Sequence, residues 1–138
     1  MSDDCIFCKI IEGKIPCAKV YDAGGIFAFL DIAPVNKGHA LVVPRAHHAT
    51  LFDLSPDMGR ELLTALKTVG QAVMQATGAA GLNVGMNNYE AAGQLVHHAH
   101  FHLVPRHAGD GLSLWTQHAY ESTEEMQKLA KAIKAAIG

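Results

Sequence analysis

Three strand-like runs lie between residues 19 and 44, separated by turns too short for anything but antiparallel neighbours. Lys19 to Tyr21 leads into Asp22-Ala23-Gly24-Gly25, Ile26 to Leu30 into Pro34-Val35-Asn36-Lys37-Gly38, and His39 to Val43 is stopped by Pro44. Parallel neighbours would need long crossovers, so this stretch predicts a meander. Before it, a short helical stretch follows Cys5-Ile6-Phe7-Cys8, runs through Ile11 and ends near Gly13. After it, Ser55-Pro56 is an N-cap with proline at the first helical position, and Leu62, Leu63, Leu66, Val69, Val73 and Met74 recur at helical spacing until Gly78. Leu82 to Asn88 reads as a strand, Ala91-Ala92-Gly93 as a loop, and Ala99 to Val104 as a strand ended by Pro105. Ser122 to Glu125 fits a capping box that opens a terminal helix through Leu129, Ile133 and Ile137. The order predicts an α+β fold: a mostly antiparallel five-stranded sheet with one long and one C-terminal helix, its helices packed on one side.

The chain has 138 residues, 49% of them apolar, enough for one sizeable core, and no internal repeat or linker; a single domain over 1–138 is expected. Its net charge of −2 comes without a long run of either sign, so neither nucleic acid nor an anionic membrane is an expected partner. No apolar stretch reaches about 18 residues, and the start Met1-Ser2-Asp3-Asp4 is acidic where a secretory signal would be basic. A cytoplasmic location is expected, with no organic cofactor.

Cys5, Cys8 and Cys17 are odd in number, and two stand in C-x-x-C spacing, which does not suit a secreted disulfide framework. A thioredoxin-like redox pair would open a helix after a strand, and no strand precedes Cys5. A metal knuckle fits better: two cysteines supply half of a tetrahedral zinc site, and the other two ligands should be histidines. Composition does not choose among nine histidines. The plainer alternative is a pair of buried thiols acting as small apolar residues.

The chemistry concentrates at His98-Ala99-His100-Phe101-His102. On a strand these alternate histidines share a face, about 7 Å apart. Such a triplet arises by chance in roughly 4% of chains this rich in histidine, so its surroundings must carry weight. Three solvated histidines on a surface strand would be the plain reading. Three imidazoles on a catalytic metal would be a metallohydrolase. One imidazole acting as nucleophile, with neighbours orienting it and holding an anion, suits phosphoryl chemistry, because neutral imidazole attacks phosphorus and leaves the adduct readily. Asn87, Asn88, Gln94 and the Gly93 turn could bring amide and backbone donors to that anion.

These residues, with Cys5-Ile6-Phe7-Cys8-Lys9-Ile10-Ile11, Ala28-Phe29-Leu30-Asp31-Ile32, Lys37-Gly38-His39-Ala40-Leu41-Val42-Val43-Pro44, Gly93-Gln94 and Leu103-Val104, make the chain resemble the histidine triad (HIT) family of nucleotide-binding proteins over nearly its whole length. The resemblance implies a hydrolase or nucleotidyl transferase that cleaves the α-phosphate linkage of purine nucleotide conjugates, phosphoramidates or dinucleoside polyphosphates, through a nucleotidyl-histidine intermediate. It implies His100 as nucleophile, supported by His102 and His39. Asn87, Gln94 and the backbone at Val96 would bind phosphate, Asp31 would accept from ribose hydroxyls, and Ile6, Phe7, Ile10, Phe29, Leu30 and Ile32 would wall the base. It points to His47 and His98 as the remaining zinc ligands beside Cys5 and Cys8, as in zinc-bearing bacterial members, and to a homodimer whose C-terminal segment around Trp115 approaches the partner's site. One departure stands out: Leu95 occupies a position where some members have a serine that helps protonate the leaving group, so that proton must come from elsewhere, His98 or solvent. The rival readings are the metallohydrolase and a nucleotide-binding interaction protein with little turnover.

Overall fold

The computed structural model describes residues 3–138; Met1 and Ser2, where the expected domain and its acidic start begin, lie outside the described residues. Five strands, β1 (Lys19–Ala23), β2 (Ile26–Leu30), β3 (Ala40–Pro44), β4 (Gly81–Gly85) and β5 (Phe101–Arg106), form one sheet in the order β1-β2-β3-β5-β4. Every pairing is antiparallel. With α1 (Ile6–Ile11), the long α2 (Gly59–Thr77) and the C-terminal α3 (Thr123–Ile137), this is the α+β architecture expected from the run of strands and helices.

The meander is set by its turns. Gly24 and Gly25, at φ 60° and 77°, occupy the left-handed region that a two-residue hairpin requires, and they bring Ala23 opposite Ile26. The long helix starts later than Ser55-Pro56 suggests: Pro56–Met58 forms a 3-10 turn, with the Ser55 hydroxyl accepting the Asp57 N–H, before α2 begins at Gly59. Gly78 closes it at φ 68°. At α3 the Ser122 hydroxyl accepts the Glu125 N–H, half of the expected capping box.

Strand alternation divides the core in two. Ile26, Ala28, Ala40, Val42 and Leu103 pack with Ala65, Val69 and Val73 of α2 on one face; Phe27, Phe29, Leu41 and Val43 pack with Phe7, Cys8 and Ile11 of α1 on the other. The helices therefore cover both faces, correcting the one-sided arrangement expected above. The cause is the buried run of β2 and β3, Ile26–Phe29 and Ala40–Pro44, which has no polar face to leave in water. No residue of α3 is buried.

The last strand differs from expectation in a way that shapes the site. β5 starts at Phe101 rather than Ala99, because the Ala99 N–H is taken by the His48 carbonyl (2.6 Å) instead of a ladder partner. Pro105 lies inside β5, where it pairs with Leu82 of β4 and the β3 pairing has ended at Leu103, so its missing N–H costs no ladder bond. β4 likewise stops at Gly85, leaving Asn87 and Asn88 in the loop that follows.

Candidate functional site

His102 pairs with Leu41 in the sheet and so points to the α1 face; His100 and His98, two and four residues earlier, project to the same side. Only His102 is on the strand itself. The Phe7 ring of α1 packs edge-on against His100 (centroids 5.1 Å) and His98 (6.0 Å), and the His100 and His102 rings meet at 5.0 Å. The imidazoles are thus held in a mostly apolar layer, with His98 fully buried and His100 and His39 nearly so.

Hydrogen bonds fix a tautomer for each ring. His100 Nδ1 lies 2.7 Å from the His98 carbonyl oxygen, an acceptor only, so Nδ1 carries the proton and Nε2 a lone pair. The Val35 N–H donates to His39 Nδ1 (3.1 Å), which places the His39 proton on Nε2. That Nε2–H donates to His102 Nδ1 (2.9 Å), and His102 in turn carries its proton on Nε2. His98 Nε2 donates to the Pro44 carbonyl (2.8 Å), so its Nδ1 lone pair faces Cys5 Sγ (3.4 Å) and Cys8 Sγ (3.6 Å).

These assignments need neutral rings, and burial supplies that. Desolvation pushes His102 down to about 4, helped by the neighbouring His100 and His39 and opposed by Asp31. It pushes His98 to about 4 against the Pro44 bond, and lowers His100 and His39 against the attraction of Asp31. One consequence is measurable. Between the ordinary 6.5 and about 4, the unfolded chain binds a proton at His102 that the folded chain does not. Stability is therefore full above about pH 6.5 and falls as pH drops towards 4, by about 3 kcal/mol from this residue. Denaturant titrations between about pH 7 and pH 4.5 should show the decline, and His102→Gln should make it shallower, the other buried histidines keeping their share; an identical slope in the variant would place the acid sensitivity elsewhere.

Two clusters of metal-ligating atoms, each within 4.8 Å, occur among the described residues: Cys5, Cys8, His47 and His98, and separately Asp31, His39 and His102. The first is a Cys2His2 donor set with two sulfurs and two imidazoles, His47 Nδ1 lying 3.4 Å from Cys8 Sγ, and it suits zinc. The Cys5 sulfur also accepts the Cys8 N–H and caps α1. In the second cluster both His39 nitrogens are already engaged, so a cation there would require an imidazolate. His98, His100 and His102 do not converge on one point, which corrects the three-histidine metal centre considered as a rival: His98 turns to the cysteines.

The remaining expected residues are unequally placed. Phe7 and Phe29 are buried beside one another (5.4 Å), Ile10 is half-buried against the same cluster, and Ile6 and Ile32 are exposed, Ile32 almost completely. Leu30 packs on the α2 face, away from the histidines, because it alternates with Phe29. Asp31, half-buried, lies 3.9 Å from His39 and accepts the Ala33 N–H. Ile6, His47, Leu95 and Val96 line a 330 Å³ cleft beside the cysteines. A cavity of 540 Å³ between β4, β5 and Trp115 is lined by none of the histidines, and Arg106 is its only ionisable lining residue.

Gln94 is the residue most changed by the structure. It is buried, its Nε2 donates to the Ala49 and Val96 carbonyls, and its Oε1 accepts the Tyr89 N–H (2.9 Å). Its side chain braces the loop between β4 and β5 instead of offering an amide to phosphate. Sequence reasoning missed Tyr89, held at φ 70° and ψ 160°, a conformation costing a side-chain-bearing residue about 1–3 kcal/mol. It also missed the Pro44, His48 and His98 carbonyls, which no side-chain pattern could have flagged.

A family profile described as "HIT domain" matches residues 12–109. Adenosine 5′-monophosphoramidase hnt1 of Schizosaccharomyces pombe is 41% identical over 135 residues, 96% of this chain and 98% of that protein. Adenylylsulfatase HINT3 of Arabidopsis thaliana is 32% identical over 139 residues, covering 97% and 70%. Among solved structures, SMU.412c from Streptococcus mutans UA159 superposes with a TM-score of 0.93 at 38% identity, covering 100% of this chain and 88% of that one. A Zn-bound histidine triad family protein from Mycobacterium smegmatis superposes with a TM-score of 0.70 at 34% identity, covering 97% and 95%. With its core, histidine layer and Cys2His2 cluster on a fold shared at these identities, the chain belongs to the HIT domain family.

Proposed function

We propose that this protein is a nucleotide hydrolase, a single domain over 1–138 that cleaves the α-phosphate linkage of a purine nucleotide conjugate through a covalent nucleotidyl-His100 intermediate. One observation carries the reading: His100 is neutral, with Nδ1–H tied to the His98 carbonyl and a lone pair left on Nε2. That is the form of imidazole that attacks phosphorus. Relatives named as an adenosine 5′-monophosphoramidase and an adenylylsulfatase support adenylate conjugates as the substrate class.

In the first step the Nε2 lone pair forms a bond to the α-phosphorus as the bond to the leaving amine or phosphate breaks. The positive charge gained by His100 is offset through Nδ1–H by the His98 carbonyl. His102, kept as the Nε2–H tautomer by His39, donates to a non-bridging oxygen where charge grows. Asn87 and the Val96 backbone hold the phosphate, Gln94 shapes the loop between them, and Asp31 accepts from the ribose. Phe7, Phe29, Ile10, Ile6 and Ile32 form the base wall, without Leu30. In the second step water attacks phosphorus, the phosphorus–nitrogen bond breaks, the attacking water gives one proton to bulk solvent, and His100 returns neutral with nucleoside monophosphate released.

The leaving-group proton does not come from His98, whose N–H is bound to Pro44 and whose lone pair faces the sulfurs. With His98 committed, water supplies it. Zinc held by Cys5, Cys8, His47 and His98 would close a structural site that ties α1 to the histidine layer, as in zinc-bearing bacterial members, and the Zn-bound relative supports that assignment. A cytoplasmic homodimer completes the proposal. Its support is α3, whose Met126, Leu129, Ile133 and Ile137 form an exposed apolar stripe, together with the exposed Trp115.

The test is to quench single turnovers of an α-phosphate-labelled adenylate conjugate, with and without excess chelator, and map the label. Label on His100, unchanged by loosely bound metal, is expected. Turnover without any adduct would overturn the nucleophile, and tight nucleotide binding without turnover would leave the interaction protein.

A further inference from the structure

The Phe52 and Tyr89 rings stack nearly parallel, 13° apart with centroids at 6.1 Å. Both are largely exposed, 72% and 58%, so the pair buries too little to be explained as core. Tyr89 also occupies backbone space that glycine enters without strain. Its N–H goes to Gln94 Oε1, and its carbonyl accepts from Ala92 and Gln94 N–H, so the turn itself is held by backbone groups that a glycine would supply equally. An aromatic ring is present at a position where the backbone alone favours none.

The position of the pair is informative. Tyr89 is in the same loop as Asn87 and Gly93, and Phe52 is carried by the adjoining segment, where the Leu51 N–H donates to Asn88 Oδ1 (2.8 Å). Strand order sets β2, with Phe29 near its end and Asp31 just beyond it, on one side of the histidines that lead into β5, and β4, which runs into this loop, on the other. A nucleotide whose base and ribose lie towards β2 and whose phosphorus meets His100 directs its leaving group to the β4 side.

We propose that the Phe52–Tyr89 pair is a second aromatic subsite, which stacks an aromatic ring carried by the leaving group, such as the distal base of a dinucleoside polyphosphate or an aromatic amine of a phosphoramidate. The inference rests on the nucleotidyl-transfer reading above. Stacking selects planar π-surfaces without hydrogen-bond readout, so this subsite favours aromatic leaving groups as a class.

The experiment compares kcat/KM for two adenosine 5′-phosphoramidates, one of indole-ethylamine and one of propylamine, in wild type, Phe52→Ala, Tyr89→Gly and Tyr89→Phe. Tyr89→Gly removes the ring and relieves the strained φ, so it should fold at least as well as wild type. Wild type and Tyr89→Phe are expected to prefer the indole substrate by about five- to tenfold, and the two ring-deleted variants should lose that preference with propylamine turnover changed less than about twofold. Equal losses on both substrates, no wild-type preference, or a changed subunit number by sedimentation in the variants would overturn the subsite. If wild type cleaves neither, the catalytic reading fails and binding decides the subsite. Diadenosine tetraphosphate binding several-fold tighter than ATP, with the difference lost in both ring-deleted variants, upholds it, and equal affinities overturn it.

Discussion

Replacing His100 by alanine should lower single-turnover cleavage of an adenylate conjugate by about a thousandfold or more, with the loss in the chemical step and nucleotide affinity nearly unchanged. No second group can stand in. His102 Nδ1 accepts from His39, His39 Nδ1 accepts from Val35, and both His98 nitrogens are committed to Pro44 and the cysteine cluster. His100 is the imidazole whose outward nitrogen is left as a lone pair by the bonds around it. Because the ring packs on Phe7, truncation also opens space against α1, so His100→Gln should accompany it to keep side-chain bulk. Rapid-quench measurement on both, with melting curves and the exposed His97→Ala as control, separates lost chemistry from lost structure. A residual rate within about tenfold of wild type in both variants would show that His100 is not the nucleophile.

Why this residue was legible in advance, while its supports were not, follows from where the information lies. The alternation His98, His100, His102 with Ala99, Phe101 and Leu103 states a common face, and the structure keeps that face although its ladder begins only at Phe101. Short turns such as Gly24-Gly25 are local, so the meander was readable from residues 19 to 44 alone. Which helix covers which face depends on contacts distant in sequence, and that is where expectation failed: α1 and α2 lie on opposite faces. The same holds for Gln94, whose three bonds reach Tyr89, Ala49 and Val96, and for the tautomers, which rest on carbonyls of Pro44 and His98. Residue types name possible donors; only the fold shows which donors are already spent. The cysteine spacing was half a site, and the structure brings to it the two histidines implied by the resemblance.

Cys8→Ala should abolish stoichiometric zinc and destabilise the fold by about 3 kcal/mol or more, well beyond Cys17→Ala. Cys8 is 1% exposed, lies within 3.6 Å of Nδ1 of both His47 and His98, and sits on α1, which packs on the face shared with the histidines. Cys17 is half-buried at the margin of the same cluster, outside the ligand group. The effect should reach the nucleophile through one bond. His98 contributes its Nδ1 to the cysteine cluster and its carbonyl to His100 Nδ1–H, so a loosened His98 also releases the His100 tautomer. Metal analysis and melting curves test the anchor, and long-range nitrogen–proton NMR spectra of the imidazoles test the tautomer without recourse to activity. Purified wild type that holds no zinc while Cys5 and Cys8 remain reduced, and whose melting temperature is matched by Cys8→Ala, would mean that the two sulfurs serve as small apolar residues, as buried thiols do elsewhere. Zinc loss with a shifted melting temperature but an unchanged His100 signal would retain the anchor and cut its link to the nucleophile, leaving the Pro44 bond alone to hold His98 in place.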